Sequence, residues 1–213
     1  MFHVEQSVVV EAEPAYVAPL FGDRIELARH FAQDLGSRGE ELGLIGPLEP
    51  PRLWSRHIVN CALVAPLLRG TVGDIGSGAG LPGLVLAIAR PDVRLVLIEP
   101  MERRVEWLVA ESAALGLDNV TVERARAEDL SPVPKFDQVT ARAVSALRTL
   151  IPMSARLVRP GGELLLMKGA RVEDERQAAA EEISKHRLHD VQVLVLGEKL
   201  TGEATRVFRA IVD

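Results

Sequence analysis

Four glycines crowd into the stretch Asp74-Ile75-Gly76-Ser77-Gly78-Ala79-Gly80-Leu81-Pro82-Gly83. Apolar runs flank it, Thr71-Val72-Gly73 before and Leu84-Val85-Leu86-Ala87-Ile88-Ala89 after. The order predicts a strand, a tight turn and a helix. Without Cβ atoms, such a turn lets a ligand approach the backbone. The helix behind it presents unpaired N–H groups to whatever sits there.

From Thr71 onward, short β-branched runs alternate with helical patterns, which predicts βαβ units and a mostly parallel sheet. Further strands are expected at 94–98, 120–124, 136–140 and 163–167, with a turn at Pro160-Gly161-Gly162. Helices are expected at 101–116, with Val105, Leu108, Val109 and Leu115 inward, at 145–158, and at 173–185. Two late strands, 189–196 and 205–212, are joined by a link too short for a crossover, so they should form an antiparallel hairpin. Ahead of this core, 1–14 reads as an extended or mobile arm. Helical patterns follow from 15 to 42, with breaks near Gly22 and Gly36, and from 51 to 68. The expected organisation is an arm and helical cap at 1–69 and an α/β core at 70–213.

A chain of 213 residues, 47% hydrophobic and 26% charged, suits a packed globule. No apolar run reaches the roughly 18 residues of a membrane helix, and the first residues lack the pattern of a secretory signal. One cysteine, Cys61, excludes an internal disulfide, suits a reducing cytoplasm, and reads as a small core residue. Four histidines, His3, His30, His186 and His189, show no metal-ligand spacing, so no metal is expected. The net charge of −5 argues against a general polyanion binder. Basic residues nevertheless gather at Arg52, Arg56 and His57, at Arg103-Arg104, at Arg124 and Arg126, and from Arg142 to Arg159, which permits one basic face.

Gly78-Ala79-Gly80-Leu81-Pro82-Gly83 matches the dinucleotide fingerprint, with Glu99 about 20 residues on. That match alone suggests a nicotinamide-dependent oxidoreductase. Three features oppose it. Asp74 precedes the glycines, where it would repel a pyrophosphate and attract an ammonium group. Glu128-Asp129 follow the third strand, where an adenine edge would lie if Glu99 takes the ribose. The closing hairpin gives a seven-stranded sheet with a reversed last strand, the architecture of class I S-adenosylmethionine-dependent methyltransferases with their Rossmann-like core. S-adenosylmethionine is therefore the expected cofactor.

Several segments together resemble the RsmG family, also called glucose-inhibited division protein B. They are Ser55-Arg56-His57-Ile58, the glycine turn with its Leu81-Pro82-Gly83 ending, Arg90-Pro91, Arg103-Arg104-Val105, Arg142-Ala143 and Lys168-Gly169. The resemblance implies a methyltransferase that modifies guanine N7 in the decoding region of 16S ribosomal RNA. It implies cofactor contacts at Gly76, Leu81, Ala127, Glu128 and Arg142, alongside Asp74, Gly78, Gly80 and Glu99 of the reading above. Two departures stand out: Val144 replaces the usual aromatic residue after Arg-Ala, and Leu44 to Pro51 is atypical.

Guanine N7 carries a lone pair and no proton, so its methylation needs positioning and no general base. Arg142 and Lys168 are the catalytic candidates, by hydrogen bonding guanine O6 or phosphate; Arg142 equally suits the cofactor carboxylate. Arg56, His57, Arg103, Arg104 and Lys168 are the candidate RNA contacts, with Arg56 and His57 equally able to dock the cap. Trp54 and Trp107 read as packing residues. The expected partner is 16S rRNA in a partly assembled small-subunit particle, met by a cytoplasmic monomer. A small-molecule or protein methyltransferase is the alternative of the same fold.

Overall fold

In the computed structural model, which describes residues 10–133, 135–201 and 204–213, the predicted alternation becomes one seven-stranded sheet. Its strands are Thr71–Ile75 (β1), Arg94–Ile98 (β2), Val120–Glu123 (β3), Phe136–Arg142 (β4), Val158–Lys168 (β5), Leu188–Leu196 (β6) and Thr205–Val212 (β7). They lie in the order β3-β2-β1-β4-β5-β7-β6. The first five run parallel, and β7 is antiparallel to both of its neighbours. The chain reverses its direction of travel across the sheet between β1 and β4. A crevice opens beyond the strand ends at such a switch point.

The helices among the described residues are Ala18–Phe21 (α1), Ile25–Arg38 (α2), Asn60–Ala62 (α3), Gly83–Ala89 (α4), Glu102–Ala114 (α5), Leu147–Ala155 (α6), Val172–Ala178 (α7), Ala180–Lys185 (α8) and Glu198–Thr201 (α9). A seven-residue π-helix, Leu53–Val59, runs directly into α3. α4 is apolar all round and buries every residue from Gly83 to Ile88, because it is sandwiched between the sheet and the cap. Phe31 and Leu35 of α2 and Leu53 and Ile58 of the π-helix share its buried cluster. On the other face of the sheet, α6 packs Leu147, Leu150 and Ile151 against Val139, Leu164, Leu166 and Phe208.

Five local expectations are corrected. Pro160-Gly161-Gly162 lies inside β5, where the pairing jumps from Phe136↔Val158 to Gln138↔Glu163, so the turn is absorbed as a bulge. Gly36 does not break α2; Val10 fills the space a side chain would need. The 173–185 helix is two, divided at Ala179, whose backbone leaves the helical region. Val109 points outward, 51% exposed, because it sits off the stripe formed by Trp107, Leu108 and Glu111. The 51–68 pattern is a chain of 3-10, π- and α-helical turns, although its apolar residues Leu53, Ile58, Ala62, Val64, Ala65 and Leu68 are all buried as a helical stripe would be. Of the expected arm, 1–9 lies outside the described residues. The portion from 10 to 14 is tied down: the Glu11 N–H donates to Pro50 O at 2.9 Å, and its carboxylate accepts the Ser55 N–H at 2.9 Å.

A second break in pairing occurs in β6. His189 pairs with Ile211 and Gln192 with Arg209, so Asp190 and Val191 bulge opposite one residue, with Asp190 at φ 48°.

Candidate active site

The glycine turn hangs on the ends of β1 and β2. The Gly76 N–H donates to Ile98 O at 2.8 Å, and the Gly78 N–H donates to Glu99 Oε2 at 2.9 Å. Glu99 Oε1 accepts the Met101 N–H at 3.0 Å. Its carboxylate therefore fixes the turn while retaining lone pairs, since an ionised carboxylate has about four acceptor sites. Gly76 and Gly80 adopt φ 68° and 93°, a backbone region side chains avoid. A Cβ on Gly80 would stand 2.5 Å from Leu84 Cδ1. From the far side, Trp107 Nε1 donates to Ala79 O at 3.0 Å, and Arg38 lies over the Trp107 ring, 5.4 Å from its centroid.

Asp74 sits beneath this turn with no exposure. Its Oδ2 accepts the Gly83 N–H at 3.1 Å, at the start of α4, while Oδ1 is buried with no hydrogen-bond partner among the described residues. Burial raises its pKa to about 7. The helix start that a phosphate would use is thus already met by a carboxylate. Leu81 is nearly buried. After β3, a 3-10 turn holds Ala127–Asp129; Ala127 is buried with Ile75 and Ile98, the last residues of β1 and β2, whereas Glu128 and Asp129 are exposed. Arg156 donates to the carbonyls of Ala127 and Glu128 and so pins that turn.

Beyond the ends of β4 and β5 is a cavity of about 540 Å³, lined among others by Arg56, Asn60, Arg142, Lys168, Thr205 and Arg206. Arg142, the last residue of β4, donates from Nη2 to His57 Nδ1 at 2.7 Å and to Arg56 O at 3.3 Å. The wide π-helical turn separates two adjacent residues: Arg56 is exposed beside the cavity, and His57 is 9% exposed and points inward. His57 Nε2 is hydrogen-bonded to Glu49. Burial first, then the Arg142 charge, hold the His57 pKa below its usual value, against the opposing pull of Glu49.

Lys168 is 9% exposed and committed: Nζ lies 2.7 Å from Glu175 Oε2 and donates to Ser145 O at 2.7 Å. Glu175 Oε2 also accepts the Leu147 N–H at 3.0 Å. The pair clamps the 143–146 segment, in which Ala143 has φ 55°. Val144 of that segment reaches the glycine turn, where a Cβ on Gly76 would stand 2.9 Å from its Cγ2. Arg103 and Arg104 stand at the start of α5 and do not line the cavity. Arg103 lies against Gly43, and Arg104 Nε is buried without a hydrogen-bond partner among the described residues.

The structure therefore gathers Asp74, Gly76, Gly78, Gly80, Leu81, Glu99 and Ala127 around one turn, and Arg56, Arg142 and Lys168 around the adjoining cavity. Several residues of the cavity and its support were not singled out in the sequence, among them Glu49, Asn60, Glu175, Thr205 and Arg206. Arg206 carried a signal, being a cation on the last strand, which the topology returns to the side of β5. Glu49 carried none, because its partner is eight residues away across a non-repeating turn.

The residues present fit S-adenosylmethionine. The turn offers approach without Cβ atoms, an orphaned buried Asp74 oxygen and the Glu99 carboxylate, an acidic set suited to ammonium and ribose groups and not to pyrophosphate. Fold and site together define a class I S-adenosylmethionine-dependent methyltransferase with a Rossmann-like core. The precorrin-6y C5,15-methyltransferase of Geobacter metallireducens has the same fold, with a TM-score of 0.53 over 73% of this chain and 86% of that one, at 19% identity. More specifically, the chain belongs to the family described as rRNA small subunit methyltransferase G, whose model matches residues 24–205. The ribosomal RNA small subunit methyltransferase G of Clavibacter sepedonicus is 67% identical over 95% of this chain and 97% of its own. That of Clavibacter michiganensis subsp. michiganensis is 62% identical over 97% and 99%.

Proposed function

We propose that this chain methylates N7 of a guanine in the decoding region of 16S rRNA, within a small-subunit particle in the cytoplasm. The cationic cavity beside the glycine turn carries the reading. Arg56, Arg142 and Arg206 line it, and among the described residues neither Arg142 nor Arg206 has a carboxylate within ion-pair distance. The relatives' names supply the nucleic acid.

Bound S-adenosylmethionine supplies an electrophilic methyl group on a sulfonium. The protein's task is then to hold the base in line with it and to exclude water. N7 is a free lone pair, and the cavity is short of bases accordingly. Glu175 is neutralised by Lys168, and His57 presents both ring nitrogens to Arg142 and Glu49. Arg142 is assigned to guanine O6 or an adjoining phosphate, both acceptors for a guanidinium fork. Lys168 supports the cavity through its clamp on 143–146. The division at 1–69 and 70–213 belongs to this reading, with the cap supplying Glu49, Arg56 and His57 to an active site built on the core.

The test is cleavage mapping of 7-methylguanosine in 16S rRNA from a deletion strain, with complementation. The modification should vanish, return with the wild-type chain, and fall about 100-fold or more in rate with Arg142→Ala, the scale of losing one aimed donor. An unchanged modification pattern in the deletion strain would refute the assignment.

A further inference from the structure

Arg142 lines the cavity with no carboxylate within ion-pair distance among the described residues, so other groups must fix its direction. A guanidinium is a donor only. Its 2.7 Å contact therefore requires His57 Nδ1 to be a bare lone pair. The remaining ring proton must then sit on Nε2, the atom bonded to Glu49. One chain of hydrogen bonds thus runs from Glu49 through a neutral imidazole to Arg142, with the tautomer dictated at both ends. His57 is inward and does not line the cavity. Glu49 stands outside the cavity too, in the loop ahead of the π-helix, where Arg52 Nη2 donates to its other oxygen at 2.8 Å.

We propose that Glu49 and His57 are positioning residues that aim the Arg142 guanidinium at the RNA, acting through Arg142 and not on the substrate. This rests on the reading that Arg142 contacts the target nucleotide. A carboxylate behind a neutral histidine polarises the ring, so Nδ1 becomes a stronger acceptor and the guanidinium is held in one orientation. Held through Nη2, Arg142 keeps other donors for the cavity. The same arrangement gives the atypical Leu44 to Pro51 segment a role: it delivers the carboxylate.

A histidine that merely docked the cap would be felt as lost stability, with no link to Arg142. The two roles separate in a double-mutant cycle. Single-turnover methylation of small-subunit particles is measured for Glu49→Leu, Glu49→Gln, His57→Asn and His57→Phe, alone and with Arg142→Ala, beside melting temperatures and calorimetry with S-adenosylhomocysteine. Glu49→Leu and His57→Phe should each lower kcat/KM about tenfold or more, the usual size of losing an orienting partner, with cofactor affinity changed less than about twofold. Glu49→Gln keeps an acceptor for Nε2–H, and His57→Asn keeps one near Nδ1, so both should recover much of the rate. With Arg142 already alanine, neither Glu49→Leu nor His57→Phe should cost more.

The acid limb of the rate profile supplies a second readout. Glu49 is the group that favours the imidazolium, while burial, Arg142 and Arg56 oppose it. Its removal should therefore move that limb to lower pH. Wild-type kinetics in Glu49→Leu, a loop change that spares the core, would overturn the relay, as would losses that add fully to Arg142→Ala. Wild-type activity in Arg142→Ala alone would instead overturn the reading of the site on which the relay depends.

Discussion

Asp74→Asn should make the empty protein more stable at alkaline pH while weakening its cofactor site. The carboxyl is fully buried, and one of its oxygens has no hydrogen-bond partner among the described residues. Its pKa rises from an ordinary 3.8 to about 7. Below about pH 4 the group is protonated in folded and unfolded chains alike and costs nothing. As pH rises, the unfolded chain releases the proton first, so stability falls until the folded group ionises near pH 7, a total of about 4 kcal/mol. An asparagine has no such loss. It instead buries an amide N–H₂ in place of the orphan oxygen, at a pH-independent cost of about 1–3 kcal/mol. The two stability curves must therefore cross: the variant is weaker near pH 4 and stronger by roughly 1–3 kcal/mol near pH 8. Urea titrations at a series of pH values read the crossing. S-adenosylhomocysteine calorimetry reads the other arm, where losing a charged acceptor for an ammonium should weaken affinity about ten- to a hundredfold. Parallel stability curves would refute the buried-charge argument, and unchanged affinity would remove Asp74 from the cofactor site.

Gly80→Ala places a methyl group 2.5 Å from Leu84 at φ 93°, so it should cost roughly 1–3 kcal/mol and loosen cofactor binding; a normal melting temperature would show that the turn can relax. Arg206→Ala should weaken particle binding and reduce the slope of log affinity against log salt by about 1, with cofactor affinity untouched. An unchanged slope would place Arg206 off the RNA path.

The strand–turn–helix at Asp74 to Ala89 was legible because its determinants are local: glycines where φ is positive, and apolar runs on either side. The mostly parallel sheet followed from the alternation of strand and helix patterns, and the closing antiparallel hairpin from the short link between the last two strands. Periodicity overreached at Val109 and at the 51–68 segment, because it fixes which residues are apolar and not how tightly a helix winds. What the sequence could not convey were long-range pairings of polar atoms. Lys168 looks like a free cation at a strand end, yet Glu175 and the Ser145 carbonyl consume it. Glu99 looks poised for a ribose, and nothing in the sequence shows that its oxygens also hold the turn through two backbone N–H groups. Glu49 lay in a stretch distinguished only by being atypical. These relations depend on which loops the fold brings together, and one residue in such a loop looks like any other.

The bulge in β6 bears on what the sheet margin offers to another chain. β6 and β3 are the two margins of the sheet, where unpaired N–H and C=O groups invite a strand from another chain. β3 offers only four residues. β6 offers nine, but Asp190 and Val191 interrupt its pairing register, and the exposed Asp190 adds a charge at the kink. A visiting strand finds no ladder that runs the full length of β6, which shortens the template for edge-to-edge pairing to the five residues Gln192 to Leu196.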